Sequence, residues 1–240
     1  MNTKAKAFFQ RLILLIGPEA AAALEKTRVI VFGLGGVGSW CAEALVRSGI
    51  GSVSLVDSDT VCASNINRQA QALGSTLGRL KTEALEERLK DINPSCRLIS
   101  FPRIFSKENA ELFDIAGADY VIDAIDTLTC KLDLIESAAA AGRRFFSSMG
   151  MAFKLDPTLI RSADIWKTTG CPLARLVRQG LRKRGFNGHF TAVYSPERPN
   201  RREDASGELG SAVTVTAAAG MVLASLVIRD ACDRYVPDGG

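Results

Sequence analysis

Two short apolar runs near the N-terminus flank a segment with helical periodicity. RVIVFG (28–33) and SVSLVD (52–57) are rich in β-branched residues and have the composition of buried strands. Between them, apolar residues of GVGSWCAEALVRSG (36–49) recur about every three to four positions, and the segment ends in Gly49, a residue type favoured just after helices. The pattern predicts a β-strand, an α-helix and a second β-strand in succession.

The alternation of strand-like and helix-like segments continues to about Ser148. It predicts an α/β fold with a doubly wound, mostly parallel, Rossmann-like sheet. The further predicted segments are a helix over 80–93, a strand over 96–100, a helix over 107–117, a strand over 119–125, a helix over 128–142 and a strand over 143–148.

After Met149 the sequence becomes richer in loops and basic residues. We expect this part to complete the sheet, with a basic helix over 172–185, strands over 189–195 and 211–216, and a closing helix over 217–235. The chain is thus expected to have three parts. These are an N-terminal arm and helix (1–27), a nucleotide-binding core (28–150) and a substrate-facing part with the closing strand and helix (151–240).

Composition is that of a globular protein, with 47% hydrophobic and 23% charged residues. No apolar run approaches the roughly 18 residues that span a bilayer, so no membrane partner is expected. Six cysteines are scattered without a C-x-x-C pair, which favours reduced thiols over a zinc site or a disulfide framework. Reduced thiols predict a cytoplasmic location.

Positive charge is concentrated in one segment. Residues 1–160 hold 18 basic and 18 acidic residues, whereas residues 161–202 hold ten basic and two acidic residues, a net charge of +8. Within it, Arg175, Arg178 and Arg182 recur about one helical turn apart. Such a face is typical of phosphate contacts to a nucleic acid, although an ordinary solvated basic helix has the same pattern.

The spacing Gly33-x-Gly35-x-x-Gly38 follows the first predicted strand and opens the first helix of the core. Backbone N–H groups and a helix N-terminus attract phosphate there, but the motif alone does not distinguish a dinucleotide from a mononucleotide. Asp57 lies 19 residues after Gly38, where a carboxylate can accept hydrogen bonds from ribose hydroxyls. Asp59 is a weaker candidate because aspartates are common in turns.

Polar and basic residues after the second strand favour a triphosphate. Asn65, Arg68, Gln69 and Lys81 follow that strand, whereas a dinucleotide pyrophosphate is usually satisfied by backbone amides. Arg68 and Lys81 could stabilise charge on the β- and γ-phosphates when a carboxylate attacks the α-phosphorus. The alternative is that both are solvated helix charges.

Two aspartates, Asp123 and Asp126, lie in VIDAID (121–126) at the end of a predicted central strand. Open α/β sheets bind ligands at the carboxyl ends of their strands. A carboxylate at this edge can hold the Mg²⁺ that accompanies ATP. A purely structural role remains the alternative for either residue.

Several motifs together resemble the ThiF/MoeB-like adenylating domain of ubiquitin-activating enzymes and bacterial sulfur-carrier activators. They are GLGGVGS (33–39), LVDSDTVCASNINRQ (55–69), GRLKTEALEERLKDINP (78–94) and VIDAID. Within that superfamily, SSMGMAFKLDPT (147–158), DIWKTTGCPLARLVRQGLRKRG (164–185) and VYSPE (193–197) are similar to the tRNA threonylcarbamoyladenosine dehydratases. Met151 and Phe153 depart from the smaller or polar residues of those relatives, which concerns the substrate pocket.

The resemblance implies roles for individual residues. Arg11 matches an arginine that extends into the neighbouring subunit's ATP site in a homodimer, and Arg68, Lys81 and Asp126 would join it in catalysis, with Asp126 as the Mg²⁺ ligand. The implied nucleotide-binding residues are Gly33, Gly35, Gly36, Gly38, Asp57, Asp59, Asn65, Arg68, Gln69, Lys81, Asp123 and Asp126. The implied tRNA-binding residues are Lys167, Arg175, Arg178, Arg182, Lys183 and Arg184.

The activity that the resemblance implies is ATP-dependent cyclisation of threonylcarbamoyladenosine beside the tRNA anticodon, through an acyl-adenylate. ATP and Mg²⁺ would be required, and a cysteine desulfurase or sulfur-acceptor system is a possible partner. Adenylation of the C-terminal glycine of a sulfur-carrier or ubiquitin-like protein is the main alternative. An NAD-dependent oxidoreductase and a noncatalytic tRNA-binding module are more distant ones. A thioester on Cys171, which precedes the basic helix, is a further hypothesis.

Overall fold

One mixed sheet forms the centre of the molecule. The structure is a computed structural model that describes residues 7–200 and 209–234. In the described part the strand order is β3-β2-β1-β4-β5-β7-β6, and every neighbouring pair is parallel except β7 and β6. The strands are β1 (Arg28–Phe32), β2 (Ser52–Val56), β3 (Arg97–Phe101), β4 (Tyr120–Asp123), β5 (Arg144–Ser148), β6 (Arg161–Asp164) and β7 (Thr191–Tyr194).

Helices connect the strands, and short 3₁₀ turns occupy several of the loops. The 3₁₀ turn that matters for the cavity described below is Ala63–Asn65. The α-helices are α1 (Gln10–Ile16), α2 (Pro18–Lys26), α3 (Gly38–Arg47), α4 (Lys81–Ile92), α5 (Leu128–Ala140), α6 (Pro172–Lys183) and α7 (Val213–Asp233). The predicted α/β fold with a mostly parallel sheet is therefore confirmed.

The central strands of the sheet are buried on both faces, as a doubly wound fold requires. Along β1, Val29 and Val31 pack into the core beneath α3 and α7, while Ile30 and Phe32 pack into the core beneath α5 and α6. Successive side chains of a strand point to opposite faces, so a strand covered on both sides reads as a continuous apolar run. This explains why RVIVF lacks alternation.

The segment SAVTVT was predicted as a strand, and that prediction is wrong. From Val213 onward it is the first turn of α7, and Val215, Ala219, Leu223 and Val227 are buried at intervals of four residues. Packing of this stripe against α3 and the sheet outweighs the β-propensity of its valines and threonines.

Other departures are smaller. The predicted helix over 107–117 consists of two 3₁₀ turns, Lys107–Phe113 and Ile115–Gly117. Strand β6, which the sequence did not reveal, is a polar edge strand whose four residues are all at least partly exposed. Since β6 and β7 extend the same sheet as β1 to β5, the part after residue 150 completes the sheet as expected. The three-part division of the chain stays a prediction.

Helix α7 is long and apolar enough, by length and composition alone, to cross a membrane. The sequence prediction of no such segment was therefore too strict, because the helix begins earlier than expected. Its buried stripe contributes Val215, Leu223 and Val227 to the same core as β1 and α3. This is the packing of a core helix in a globular fold.

Candidate active site

An open cavity of about 770 Å³ lies at the carboxyl ends of β1, β2, β4 and β5. This is the edge at which open α/β sheets bind ligands, near the reversal of strand order between β1 and β4. The structure brings ten of the predicted nucleotide-binding residues to its wall. They are Gly33, Gly35, Gly36, Asp57, Asp59, Asn65, Arg68, Gln69, Lys81 and Asp126.

The glycine loop is shaped by close backbone contacts. Gly33 has a φ of +84°, and a Cβ there would lie 2.7 Å from the carbonyl oxygen of Ala124. A Cβ on Gly38 would lie 1.8 Å from the carbonyl oxygen of Gly33, so Gly38 serves packing at the start of α3 and does not line the cavity. A Cβ on Gly35 would have no heavy atom within 4 Å. The loop is thus open toward the cavity and closed behind.

Asp57 is held rigidly by the backbone. Its Oδ2 accepts a hydrogen bond from the N–H of Leu34 (2.7 Å), and its Oδ1 accepts one from the N–H of Asp59 (2.9 Å). Burial raises the pKa of the Asp57 carboxyl, and the positive charge of Lys81 opposes that shift. The side chain is fixed at the end of β2, where it can reach a ribose.

We call the part of the cavity wall formed by the glycine loop, Asp57 and the chain from Asp59 to Lys81 the nucleotide side. Lys81 is its most buried cation. Its Nζ lies 2.7 Å from Oδ2 of Asp59 and 3.8 Å from Oδ1 of Asp57, and its side chain is 8% exposed. Asp59 is 66% exposed, so its partnership with Lys81 is only partly shielded from water. Lys81 begins α4 and therefore has a fixed backbone from which to reach a phosphate.

The chain between β2 and α4 supplies the remaining polar wall. Oδ1 of Asn65 accepts a hydrogen bond from the N–H of Cys62 (3.1 Å), which stabilises the turn Ala63–Asn65. Nη1 of Arg68 donates to the carbonyl oxygen of Ser64 (2.6 Å). Gln71, which the sequence analysis did not single out, donates from Nε2 to the carbonyl oxygen of Leu34 (2.9 Å) and ties this segment to the glycine loop.

Asp126 presents an exposed carboxylate after β4. Its Oδ1 accepts only a long hydrogen bond from Oγ1 of Thr127 (3.4 Å) among the described residues. The described part of the chain contains no group of three or more side chains able to ligate a metal. One free carboxylate suits Mg²⁺, which keeps several waters and binds through one or two carboxylates and substrate phosphates.

The structure does not support Asp123 as a nucleotide ligand. Its side chain is fully buried, with Oδ2 at 2.6 Å from both Nζ of Lys131 and Oγ of Ser147. Oδ1 accepts a hydrogen bond from the N–H of Ile125 (3.0 Å). Every polar atom of the carboxylate is therefore used inside the protein, beneath the cavity rather than in it.

The wall opposite the nucleotide side comes from the segment after β5 and from the start of α6. It contains Met151 and Phe153, which the sequence analysis expected to alter the substrate pocket, and the buried Lys154. Lys154 and Arg103, which also lines the cavity, were not predicted. Both follow the ends of parallel strands, so the rule that selected Asp57 and Asp126 would have found them.

The basic residues of and around α6 differ in their availability. Lys167, Arg175 and Lys183 are exposed. The guanidinium of Arg182 is also exposed and lies 5.3 Å from the centroid of the Trp166 ring, a cation–π contact. Arg178 is partly buried and donates to Oγ1 of Thr168.

Arg184 is engaged by two carboxylates at the protein surface. Its Nη1 lies 2.6 Å from Oδ1 of Asp133 and 3.0 Å from Oε2 of Glu136, two carboxylates on α5. The side-chain hydrogen bond to Asp133 raises the pKa of the guanidinium although partial burial opposes the shift. Because its charge is neutralised locally, Arg184 is a poor candidate for tRNA binding.

Two further predicted residues lie outside the cavity wall. Arg11 is exposed on α1. Cys171 is buried, and its Sγ lies 3.9 Å from the carbonyl oxygen of Gly150 rather than at the wall. That location offers no support for a thioester on Cys171.

Comparisons with known proteins agree with this geometry. The family model described as the ThiF family matches residues 9–234. Among curated proteins, the chain is similar to the tRNA threonylcarbamoyladenosine dehydratase of Bacillus subtilis (44% identity, 85% of this chain, 80% of the relative) and to that of Escherichia coli (35% identity, 90% of each). A crystal structure of the Escherichia coli enzyme in complex with ATP superimposes with a TM-score of 0.91, at 32% identity over 99% of each chain. The chain therefore belongs to the ThiF family.

Proposed function

We propose that this protein is an adenylate-forming enzyme that uses ATP to dehydrate threonylcarbamoyladenosine in tRNA. One observation carries the proposal: a single cavity is lined both by the glycine loop and by Pro172, Leu173 and Leu176 at the start of the basic helix α6. A nucleotide on one wall can therefore meet an RNA-borne group on the other. The similarity to dehydratases along nearly the whole chain supports the same assignment.

In the first step the threonyl carboxylate of the modified adenosine attacks the α-phosphorus of ATP. A bond forms between a carboxylate oxygen and phosphorus, and the bond from phosphorus to the β-phosphate oxygen breaks, releasing pyrophosphate. Arg68 and Lys81 stabilise the charge that builds up on the departing phosphates, and Asp57 holds the ribose. Mg²⁺, held by Asp126, would neutralise phosphate oxygens during this step.

In the second step the carbamoyl oxygen of the same nucleoside attacks the activated carbonyl. The carbon–oxygen bond to AMP breaks, the carbamoyl N–H loses its proton, and a five-membered oxazolone ring closes. The net change is loss of one water from the nucleoside, coupled to conversion of ATP into AMP and pyrophosphate. No protein nucleophile is needed, because the attacking group is already tethered beside the carbonyl.

We also propose that the exposed cations Lys167, Arg175, Arg182 and Lys183 bind the tRNA backbone, with a smaller contribution from Arg178. Phosphate contacts of this kind orient the RNA without reading its sequence. They lie on and beside the helix that starts at the cavity, so they can hold the modified nucleoside over the ATP site.

A homodimer in the cytoplasm is part of the proposal. Helix α1 exposes Leu14 and Leu15, each 80% exposed, next to Arg11. An apolar surface of this kind supports burial against a second subunit, with Arg11 carried toward that subunit's cavity. Sedimentation of the wild type and of Leu14→Glu tests the dimer. Assistance by a cysteine desulfurase stays a prediction, tested by adding such an enzyme to the turnover assay.

The decisive experiment measures AMP release by the purified protein with ATP, Mg²⁺ and tRNA. The tRNA is supplied with or without threonylcarbamoyladenosine, and the product nucleosides are weighed by mass spectrometry. AMP release that depends on the modification, together with a nucleoside lighter by one water, is the expected result. ATP consumption that ignores the tRNA and responds to a glycine-ending carrier protein would instead establish the alternative, adenylation of a protein C-terminus.

A further inference from the structure

The positive charges on the cavity wall are divided between its two sides. Among the described residues, the wall contains four cations, Arg68, Lys81, Arg103 and Lys154. Arg68 and Lys81 follow β2 and Arg103 follows β3, so all three lie on the nucleotide side of the cavity. Lys154 follows β5, on the other side of β1 and β4. The proposed acyl substrate must enter from that other side, since attacking and leaving oxygens lie roughly in line at phosphorus.

Lys154 is a buried cation that forms no direct ion pair with a described residue. The residue is 2% exposed, and Nζ donates to the carbonyl oxygen of Ser195. No ion pair of this ammonium exists among the described residues. The carboxylate of Glu197, whose charge acts on this ammonium without a direct ion pair, accepts hydrogen bonds from the N–H groups of Leu155 (2.9 Å) and Asp156 (3.1 Å). A buried charge without a direct ion pair is costly, which points to an anion supplied by a ligand.

The backbone around Lys154 is fixed on both sides. The N–H of Phe153 donates to the carbonyl oxygen of Gly210 (2.8 Å), and the N–H of Asn200 donates to the carbonyl oxygen of Phe153 (2.7 Å). Phe153 has a φ of +60°, an unusual value for a bulky residue that these bonds and those of Glu197 maintain. The ammonium is thereby positioned by its neighbours rather than by its own flexible stem.

We propose that Lys154 binds the carboxylate of the acyl substrate and holds it for attack on the α-phosphorus of ATP. The inference rests on the proposed function and deepens it, since it assigns the recognition of the substrate's reactive group to one residue. An uncharged nucleoside, or one whose carboxylate is esterified, would leave the ammonium unpaired and bind poorly. Lys154 thus selects for a free carboxylate.

The charge of Lys154 must persist at working pH for this role. Burial lowers its pKa, while the negative potentials of Cys171 at the start of α6 and of Glu197 after β7 oppose the shift. The ammonium is consequently lost at lower pH than for an exposed lysine. Substrate capture is expected to weaken as pH rises into the alkaline range, through the loss of this one positive charge.

Lys154→Met tests the proposal, with Lys90→Met as the matched control. Lys90 also donates from Nζ to a backbone carbonyl, that of Cys96 (2.9 Å), but does not line the cavity. We expect kcat/KM for threonylcarbamoylated tRNA to fall roughly 10- to 100-fold in Lys154→Met, the usual effect of losing a charge-assisted bond. The Kd for ATP should stay within about twofold, and Lys90→Met should behave as wild type.

The pH profile separates substrate binding from a structural role. Wild-type kcat/KM should decline at alkaline pH, and Lys154→Met should lack that decline. A folded Lys154→Met with wild-type kcat/KM, or with an equal loss of ATP affinity, would overturn the proposal. If the variant does not fold, calorimetry on the wild type decides, because equal affinity for the free nucleoside and its methyl ester would also overturn it. A wild type that releases no AMP with modified tRNA would refute the proposed function itself.

Discussion

Removing the ammonium of Lys131 is expected to destabilise the protein strongly, because it leaves a charged carboxylate alone in the core. Lys131 and Asp123 are each 0% exposed, and their Nζ and Oδ2 atoms are 2.6 Å apart. The ammonium also donates to the carbonyl oxygen of Ser148 (3.0 Å). In Lys131→Met, Asp123 would keep only its bonds from Ser147 and from the N–H of Ile125.

The expected loss follows from the burial of the pair. Removing one partner of a buried ion pair costs about 3–5 kcal/mol, since the remaining charge cannot reach water. At about 2–4 °C per kcal/mol for a chain of this size, Tm should fall by about 6–20 °C. Arg79 and Glu87 form a pair of nearly the same length, 2.7 Å, but their side chains are 41% and 70% exposed. Arg79→Met should therefore cost at most about 1 kcal/mol.

Urea unfolding of the wild type, Lys131→Met, Asp123→Asn and the double variant provides the assay. The double variant should be less destabilised than the two single losses predict together, because no charge remains unpaired. Asp123→Asn, measured under conditions in which the variant is folded, should bind ATP with the wild-type Kd. A loss below about 1 kcal/mol in Lys131→Met would refute the reasoning from burial. Loss of ATP binding in a folded Asp123→Asn would restore Asp123 as a nucleotide ligand.

Three further predictions concern the glycine loop, the loss of stability at acid pH and the basic helix. Gly38→Ala should lower Tm by more than about 5 °C, whereas Gly35→Ala should not, and equal Tm values by calorimetry would contradict the contact distances. Burial disfavours the charged form of Glu43, but hydrogen bonds from Arg88 and Arg47 hold its pKa below the usual carboxyl range. Arg88→Met should therefore lower the free energy of unfolding by about 1.5–3 kcal/mol at pH 7, and this difference from the wild type should shrink as pH falls and Glu43 is protonated. A difference that stays constant with pH in urea titrations would exclude this linkage. Arg175→Ala should weaken tRNA binding and lower the slope of log K against log salt by about one, and an unchanged slope in filter binding would remove Arg175 from the interface.

The nucleotide side could be predicted from the sequence because its signals are local. A β-branched strand, a glycine turn and an amphipathic helix follow one another in RVIVFGLGGVGSWCAEALVR, and each element is encoded by its own residues. Asp57 and Asp126 were found by their position after strands, and the structure brings both to the cavity wall. Parallel strands that end at the same edge of a sheet make such positions converge whatever the intervening helices contain.

The failures have a common physical origin in tertiary partners that local sequence patterns do not reveal. SAVTVT has the composition of a strand, but burial of its valines against α3, some 170 residues earlier, makes it helical. Asp123 has the position of a ligand, but its ion pair with Lys131 in the first turn of α5 makes it a core residue. Arg184 has the position of an RNA-binding cation, but Asp133 and Glu136 lie beside it and neutralise its charge. None of these pairings is visible from local spacing.

Strand order gives the cavity its two chemically different sides. The sequence of strands reverses between β1 and β4, so the chain after β1 and β2 runs to one side and the chain after β4 and β5 runs to the other. Cations that follow β2 can meet the β- and γ-phosphates, while Lys154 after β5 meets whatever approaches the α-phosphate from the opposite direction. The segment from β5 to α6 also carries the basic residues that suit an RNA. Members of this fold could therefore keep the nucleotide side and change acyl substrates by altering only the part of the chain after β5.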